Sequence, residues 1–172
     1  MKKKKLYAAF CLCLAVLLVP AASVYSSPML SYPLVVAQIH SPEELVKFMR
    51  SELRFVEDRA LFSIEDYWQS PEQLLDLRAG DCEDYALLAQ AVLRSMGMEA
   101  YTISIYGGEY AHTVAIFRDS KGFQLINEDR LYRVNAASLE DAIDSLHEDW
   151  EWAAIAEKRG TRGWKIREIR PA

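Results

Sequence analysis

The chain has 172 residues, 51% hydrophobic and 26% charged, with 25 acidic against 20 basic residues and a net charge of −5. That length suits one domain of ordinary size with a core of its own, and the composition excludes the disordered, collagen-like and coiled-coil classes. The acidic balance excludes nucleic acid as a partner, because phosphate recognition requires a basic surface.

Lys2–Lys5 form a basic segment, Leu6–Val19 an apolar run, and Pro20 closes the run ahead of the small residues of AASVYSS. This is the pattern of a secretory signal peptide. The run is short for a membrane span, which needs about 20 apolar residues. The reading is a leader over residues 1–23 with cleavage after Ser23 or Ser26, a linker over 24–40, and one domain over 41–172. An exported protein is expected, periplasmic or extracellular, anchored to a membrane only if the leader stays uncleaved. Loss of residues 1–23 removes four lysines together with Cys11 and Cys13. It leaves 16 basic against 25 acidic residues, a net charge of −9, and Cys82 as the one remaining thiol.

Val24–Ile39 has no helical period and reads as linker or edge strand. Ser41-Pro42-Glu43-Glu44 is a helix start, with Ser41 as cap and Pro42 at the first position, where its missing N–H does no harm. That helix should reach about Leu53. Arg54–Tyr67 reads as a short helix and a loop. Ser70-Pro71-Glu72-Gln73 repeats the start signal, so Pro71–Arg78 is a second short helix, broken by Gly80. A third helix is expected from Asp81 or Cys82 to Met96, closed by Gly97. Its Ala86, Leu87, Leu88, Ala89, Ala91, Val92, Leu93 and Met96 leave almost no polar face, which marks a central, buried helix.

The period then changes. Ala100–Tyr106, His112–Arg118 and Phe123–Asn127 are rich in β-branched and aromatic residues. They are separated by Gly107-Gly108 and the tight turn Asp119–Gly122, so three strands are expected. From Ser138 to about Arg159, Leu139, Ile143, Leu146, Trp150 and Ala154 recur at helical spacing and predict a long last helix. A strand over Trp164–Ile169 follows. Helices first and an antiparallel meander after them give an α+β fold.

The chemistry centres on Ala79–Leu88, AGDCEDYALL. A thiol at a helix start meets free N–H groups and the positive end of the dipole, which favour the thiolate. Asp81, Glu83 and Asp84 oppose it. The bland alternative is a small buried hydrophobe among carboxylates that simply suit a first turn. Of three histidines, His40 lies in the linker and His147 in a charged stretch of the last helix. His112 opens a strand, where an imidazole beside a helix N-terminus can take the thiol proton. Pairing Arg118 with Phe123 puts His112 opposite Asp129 and Val114 opposite Asn127. Alternation then places His112, Val114, Ile116, Phe123, Leu125, Asn127 and Asp129 on one face. That face is expected to cover the buried helix, its polar end meeting the helix N-terminus. Asn127 or Asp129 would orient the imidazole.

The segments WQSPEQLL, GDCEDYALL, LRSMG, HTVAIF and FQLIN, spread over about Glu65–Asp129, resemble the transglutaminase-like superfamily, and most of all its bacterial transglutaminase-like cysteine proteinases. The resemblance implies a papain-like α+β fold, with a cysteine on a central helix packed against an antiparallel sheet. It implies Cys82 as nucleophile and His112 as base. The third position, usually Asp in that superfamily, falls on Asn127, with Asp129 as the reserve. An oxyanion hole would use the Cys82 N–H and a second donor, Trp68 or Gln69. Exported members of this group act on cell-surface adhesins and bind calcium beside the cysteine, which points to Asp81, Glu83 and Asp84 as ligands of the right type. The expectation is an exported, cysteine-dependent acyl-transfer enzyme acting on a protein or peptide. Water as acceptor makes it a peptidase or amidase, and an amine makes it a transglutaminase. The alternative is a non-catalytic module that binds peptide or cell-wall material on the same scaffold.

Overall fold

Tyr32–Gln38 forms a helix, α1, in a stretch expected to be linker. The computed structural model describes residues 30–108, 110–158 and 164–171, so the leader lies outside the described residues. Seven residues are too few to show a period, and α1 is held by its neighbours: Val35 and Ile39 are buried in the main core. The body of the domain therefore begins before residue 41.

Helix α2 (Pro42–Glu52) starts where expected, with the Ser41 side chain accepting the Glu44 N–H. A two-residue strand β1 (Arg54–Phe55) and a one-turn helix α3 (Asp58–Leu61) follow. Helix α4 (Pro71–Leu77) begins with a reciprocal capping box between Ser70 and Gln73. It ends at Arg78 in left-handed conformation, and β2 (Ala79–Gly80) then pairs with β1 in parallel. Helix α5 (Cys82–Ser95) is the predicted central helix, and ten of its residues are buried. Gly97, at a φ of +80° that favours glycine, turns the chain out of it.

A six-stranded sheet completes the fold: β3 (Ala100–Gly107), β4 (Tyr110–Asp119), β5 (Gly122–Asn127), β6 (Arg130–Ala136), β7 (Trp152–Lys158) and β8 (Trp164–Ile169). The order across it is β6-β5-β4-β3-β7-β8, every pair antiparallel. The predicted register is the one found, with Arg118 opposite Phe123 and Ile116 opposite Leu125. Strand β6 was not expected; its exposed and half-exposed residues carry no clean alternation.

Two expectations need correcting. The stripe from Leu139 to Ala154 is not one long helix. Helix α6 (Leu139–Asp144) stops after six residues, and the chain turns and enters β7. Leu139, Ile143 and Trp150 are buried all the same, so the helical spacing marked core positions and not a continuous helix. Local propensity lost to the open edge of β3, where residues 152–156 complete five paired positions. Arg159 lies outside the described residues.

The second correction concerns the faces of the sheet. Val114, Ile116, Phe123 and Leu125 share a face as expected, but it packs with α6, Trp150 and Ile155. Helix α5 takes the opposite face, against Ala100, Ala115, Phe117 and Ile126. Both faces are apolar, so alternation alone does not say which one meets the helix. Ala100 and Ala115 belong to the cluster that α5 joins, and Thr102 on this face hydrogen-bonds the Ala86 carbonyl at 3.3 Å. Among the described residues no helix is long and apolar enough to cross a membrane.

Candidate active site

Cys82 is the first residue of α5, half-buried at the positive end of the helix. Strand β4 outruns its neighbour: its ladder with β5 begins only at Ala115↔Ile126, while residues 110–114 pair with β3 alone. The overhang leaves His112 and Thr113 open on one side. A cleft of about 300 Å³ lies there, lined by Cys82, His112, Asp81, Glu83, Trp68 and Tyr106 among others. Thiol and imidazole, 30 positions apart in the chain, thus face one space.

His112 Nε2 lies 2.7 Å from Asn127 Oδ1. Asn127 ends β5, and the chain then turns through Glu128 at a φ of +51°. The turn carries Asp129 away from the imidazole to Arg50, whose Nε is 3.1 Å from Asp129 Oδ2 and whose Nη2 donates to its carbonyl at 2.8 Å. Of the two residues proposed from sequence to orient His112, only Asn127 touches it. The diagonal partner won over the directly opposite one because the strand ends at 127.

Gln69 does not reach the cleft. It is fully buried, its side-chain amide donates to the Ala79 carbonyl at 3.0 Å and to Asp84 Oδ2, and its backbone N–H donates to Asp84 Oδ1 at 2.7 Å. With both amide hydrogens engaged, it has none for an oxyanion. Trp68, 38% exposed, stays on the cleft wall. Gly80 makes the Gln69–Asp84 clasp possible, since a Cβ there would overlap Asp84 Oδ2 and Gln69 Nε2.

The acids divide unequally. Asp84, expected as a metal ligand, is turned inward to Gln69 and the Asp81 N–H. Its place beside Asp81 and Glu83 is taken by Asp58, from α3, which sequence reasoning missed. One oxygen from each of the three lies within 4.8 Å of the others. Asp58 Oδ2 accepts the Tyr67 N–H, and Asp81 Oδ2 accepts the Asp58 N–H at 3.4 Å. The two remaining oxygens, Asp58 Oδ1 and Asp81 Oδ1, are buried with no hydrogen-bond partner. Three hard oxygen donors, two of them orphaned, fit a divalent cation of the calcium type.

Burial dominates the electrostatics. It pushes Asp81 up to about 7, Glu83 up to about 8 and Asp84 up to about 6. Burial also pushes the Cys82 thiol up, and the charge on Asp81 adds to the shift. The Thr113 N–H and the Glu83 side chain act in the opposite direction. The thiol's hydrogen bond goes to Glu83 Oε2 at 3.2 Å. Without a cation, then, the Cys82 thiol and the Glu83 carboxyl both favour their protonated forms at neutral pH. One further group was missed: the Tyr110 ring, 6.0 Å from the His112 ring and 4.3 Å from that of His147. His147 had been placed on a helix that ends before it.

The core model of the transglutaminase-like superfamily matches residues 36–160. No curated protein matches the chain. Among solved structures, calcium-bound LapG of Legionella pneumophila is 18% identical with a TM-score of 0.47, over 72% of this chain and 66% of its own. Its EGTA-treated form is 19% identical, at 0.46, over 72% of this chain and 69% of its own. A protein of Cytophaga hutchinsonii provisionally described as a cysteine protease is 14% identical, at 0.41, over 74% of this chain and 43% of its own.

Proposed function

Because the chain belongs to the transglutaminase-like superfamily, we propose that it is an exported cysteine-dependent amidase or peptidase acting on a protein or peptide. The observation that carries this reading is the His112–Asn127 contact on a strand that shares one cleft with a thiol at a helix N-terminus. With Nε2–H donated to Asn127 Oδ1, His112 Nδ1 is free to take the Cys82 proton. The thiolate attacks the amide carbonyl, and the oxyanion is met by the Cys82 backbone N–H and the Trp68 indole N–H. His112 hands its proton to the departing amine, leaving a thioester at Cys82. It then removes a proton from water, which releases the acid and restores the thiol. An amine in place of water would make the same site a transglutaminase.

Asp58, Asp81 and Glu83 are the residues that would hold a cation. When bound, calcium would offset the carboxylates that oppose a thiolate. Export rests on Lys2–Lys5 and the apolar run behind them, and it makes an extracytoplasmic protein the natural substrate. The second reading, a non-catalytic binding module, is favoured by one observation: the thiol bonds to Glu83, not to His112.

The test is the pH dependence of iodoacetamide labelling of Cys82 in the folded protein, wild type against His112→Ala, with calcium or with chelator. Labelling with calcium should titrate below the ordinary thiol value of about 8.5, and its midpoint should rise in His112→Ala. Chelator should slow it at neutral pH. A thiol indifferent to both His112 and calcium would leave only the binding module.

A further inference from the structure

The lining of the cleft has a chemical bias that the reaction does not account for. Glu65 and Asp66 join Asp81 and Glu83 on its wall, and among the described residues no lysine or arginine lines it. Glu65 is engaged by Arg59 at 3.1 Å, and Asp81 and Glu83 belong to the candidate cation cluster. Asp66 is the exposed carboxylate left over. Two aromatic side chains line the same cleft, Trp68 and Tyr106. Tyr106 is braced from behind by Trp152, stacked at 3.9 Å and 9°. A carboxylate and two aromatic surfaces lining one cleft are the chemistry that holds an ammonium or guanidinium group. Resting on the acyl-transfer reading, we infer that the cleft selects a substrate with a lysine or arginine side chain beside the reacting carbonyl. Asp66 is the counter-charge, and Trp68 and Tyr106 are the flanking walls.

The test separates this selectivity from the catalysis beneath it. Cys82 is modified with two methanethiosulfonates of similar size, cationic 2-aminoethyl and anionic 2-sulfonatoethyl, in calcium-loaded wild type and Asp66→Asn. This step needs no enzymatic turnover. The cationic reagent should react faster, relative to a small free thiol, and Asp66→Asn should cut that preference roughly threefold, as one charge a few ångströms away in solvent does. Added salt should shrink it likewise. Alanyl-lysyl and alanyl-glutamyl chloromethyl ketones are then compared, with the lysyl reagent expected to be faster by a margin that Asp66→Asn narrows. Equal rates for both charges in wild type overturn the selectivity. So does a preference untouched by Asp66→Asn, or a loss of calcium affinity in that variant, which would place Asp66 in the cation cluster. If the methanethiosulfonates show the preference and neither ketone reacts, the charge bias stands and the acyl-transfer reading fails.

Discussion

The candidate cation cluster makes stability depend on pH in an unusual direction. Acids that are paired or hydrogen-bonded as anions stabilise a fold as pH rises. Here Glu83 is 7% exposed and is held protonated to about 8, above its ordinary 4.5. Between about pH 5 and pH 7 the folded chain therefore keeps a proton that the unfolded chain has released, so stability falls as pH rises. One retained proton costs about 1.4 kcal/mol per pH unit, or about 3 kcal/mol over that range. For a domain of this size that is a loss of roughly 5–10 °C in melting temperature. Asp81 and Asp84, raised for the same reason, push the same way. The assay is thermal unfolding by far-UV circular dichroism in chelator across about pH 5–8, for wild type and Glu83→Gln. Wild type should lose stability with pH more steeply than the variant. Calcium should restore it, most at the alkaline end, because ligand carboxyls must ionise to bind. Parallel pH profiles for wild type and Glu83→Gln would refute the reasoning, and so would a calcium effect largest at low pH.

Three further outcomes follow from the contacts. Asn127→Ala removes the partner of His112 Nε2 and should slow calcium-dependent labelling of Cys82 at neutral pH by roughly tenfold, while Asn127→Asp should retain most of the rate. Asp129→Ala, which removes the carboxylate's contact with Arg50 and not a contact with His112, should leave the midpoint of the labelling profile in place; a displaced midpoint would return Asp129 to the imidazole. Gly80→Ala drives a methyl into Asp84 and Gln69 and should lower stability by about 1–3 kcal/mol in urea titrations, with a normal midpoint excluding such a tight clasp.

What could be read from the sequence was what local chemistry determines. Ser41 and Ser70 cap their helices because a hydroxyl followed by Pro and Glu can do little else there. The turn at Asp119–Gly122 set the hairpin register, since a tight turn leaves one pairing. That Cys82 and His112 line one cleft was legible for a related reason, each lying near the start of its element. The failures all required knowledge of what lies across space. Asp58 comes from a charged stretch, Glu57-Asp58-Arg59, that looks like any solvated turn, yet it is 1% exposed. Residues 145–158 follow helical spacing, and only the unpaired edge of β3 makes the end of that stretch a strand. The side of the sheet that α5 takes could not be read from alternation, because both faces are apolar.

The acidic sequence around Cys82 first looked like a single feature working against the thiol. Its members in fact do different things, and the difference is one of burial and partners. Asp84 is satisfied: three N–H donors converge on it, from Gln69 twice and from Asp81 once. Through them it fastens the segment that carries Trp68 to the start of α5. Asp58 and Asp81 are less well served, each keeping one buried oxygen to which no N–H donates. A buried orphan carboxylate oxygen is costly, and a chain that needed only to cap a helix or bury a thiol would gain by replacing it. The arrangement makes physical sense if the missing partner is a cation. Asp84 holds this stretch at Gln69 and Asp81 holds it at Asp58, so residues 58–69 supply both the third member of the candidate cluster and a wall of the cleft. Binding at the cluster and the shape of the cleft are thereby joined through the backbone between them.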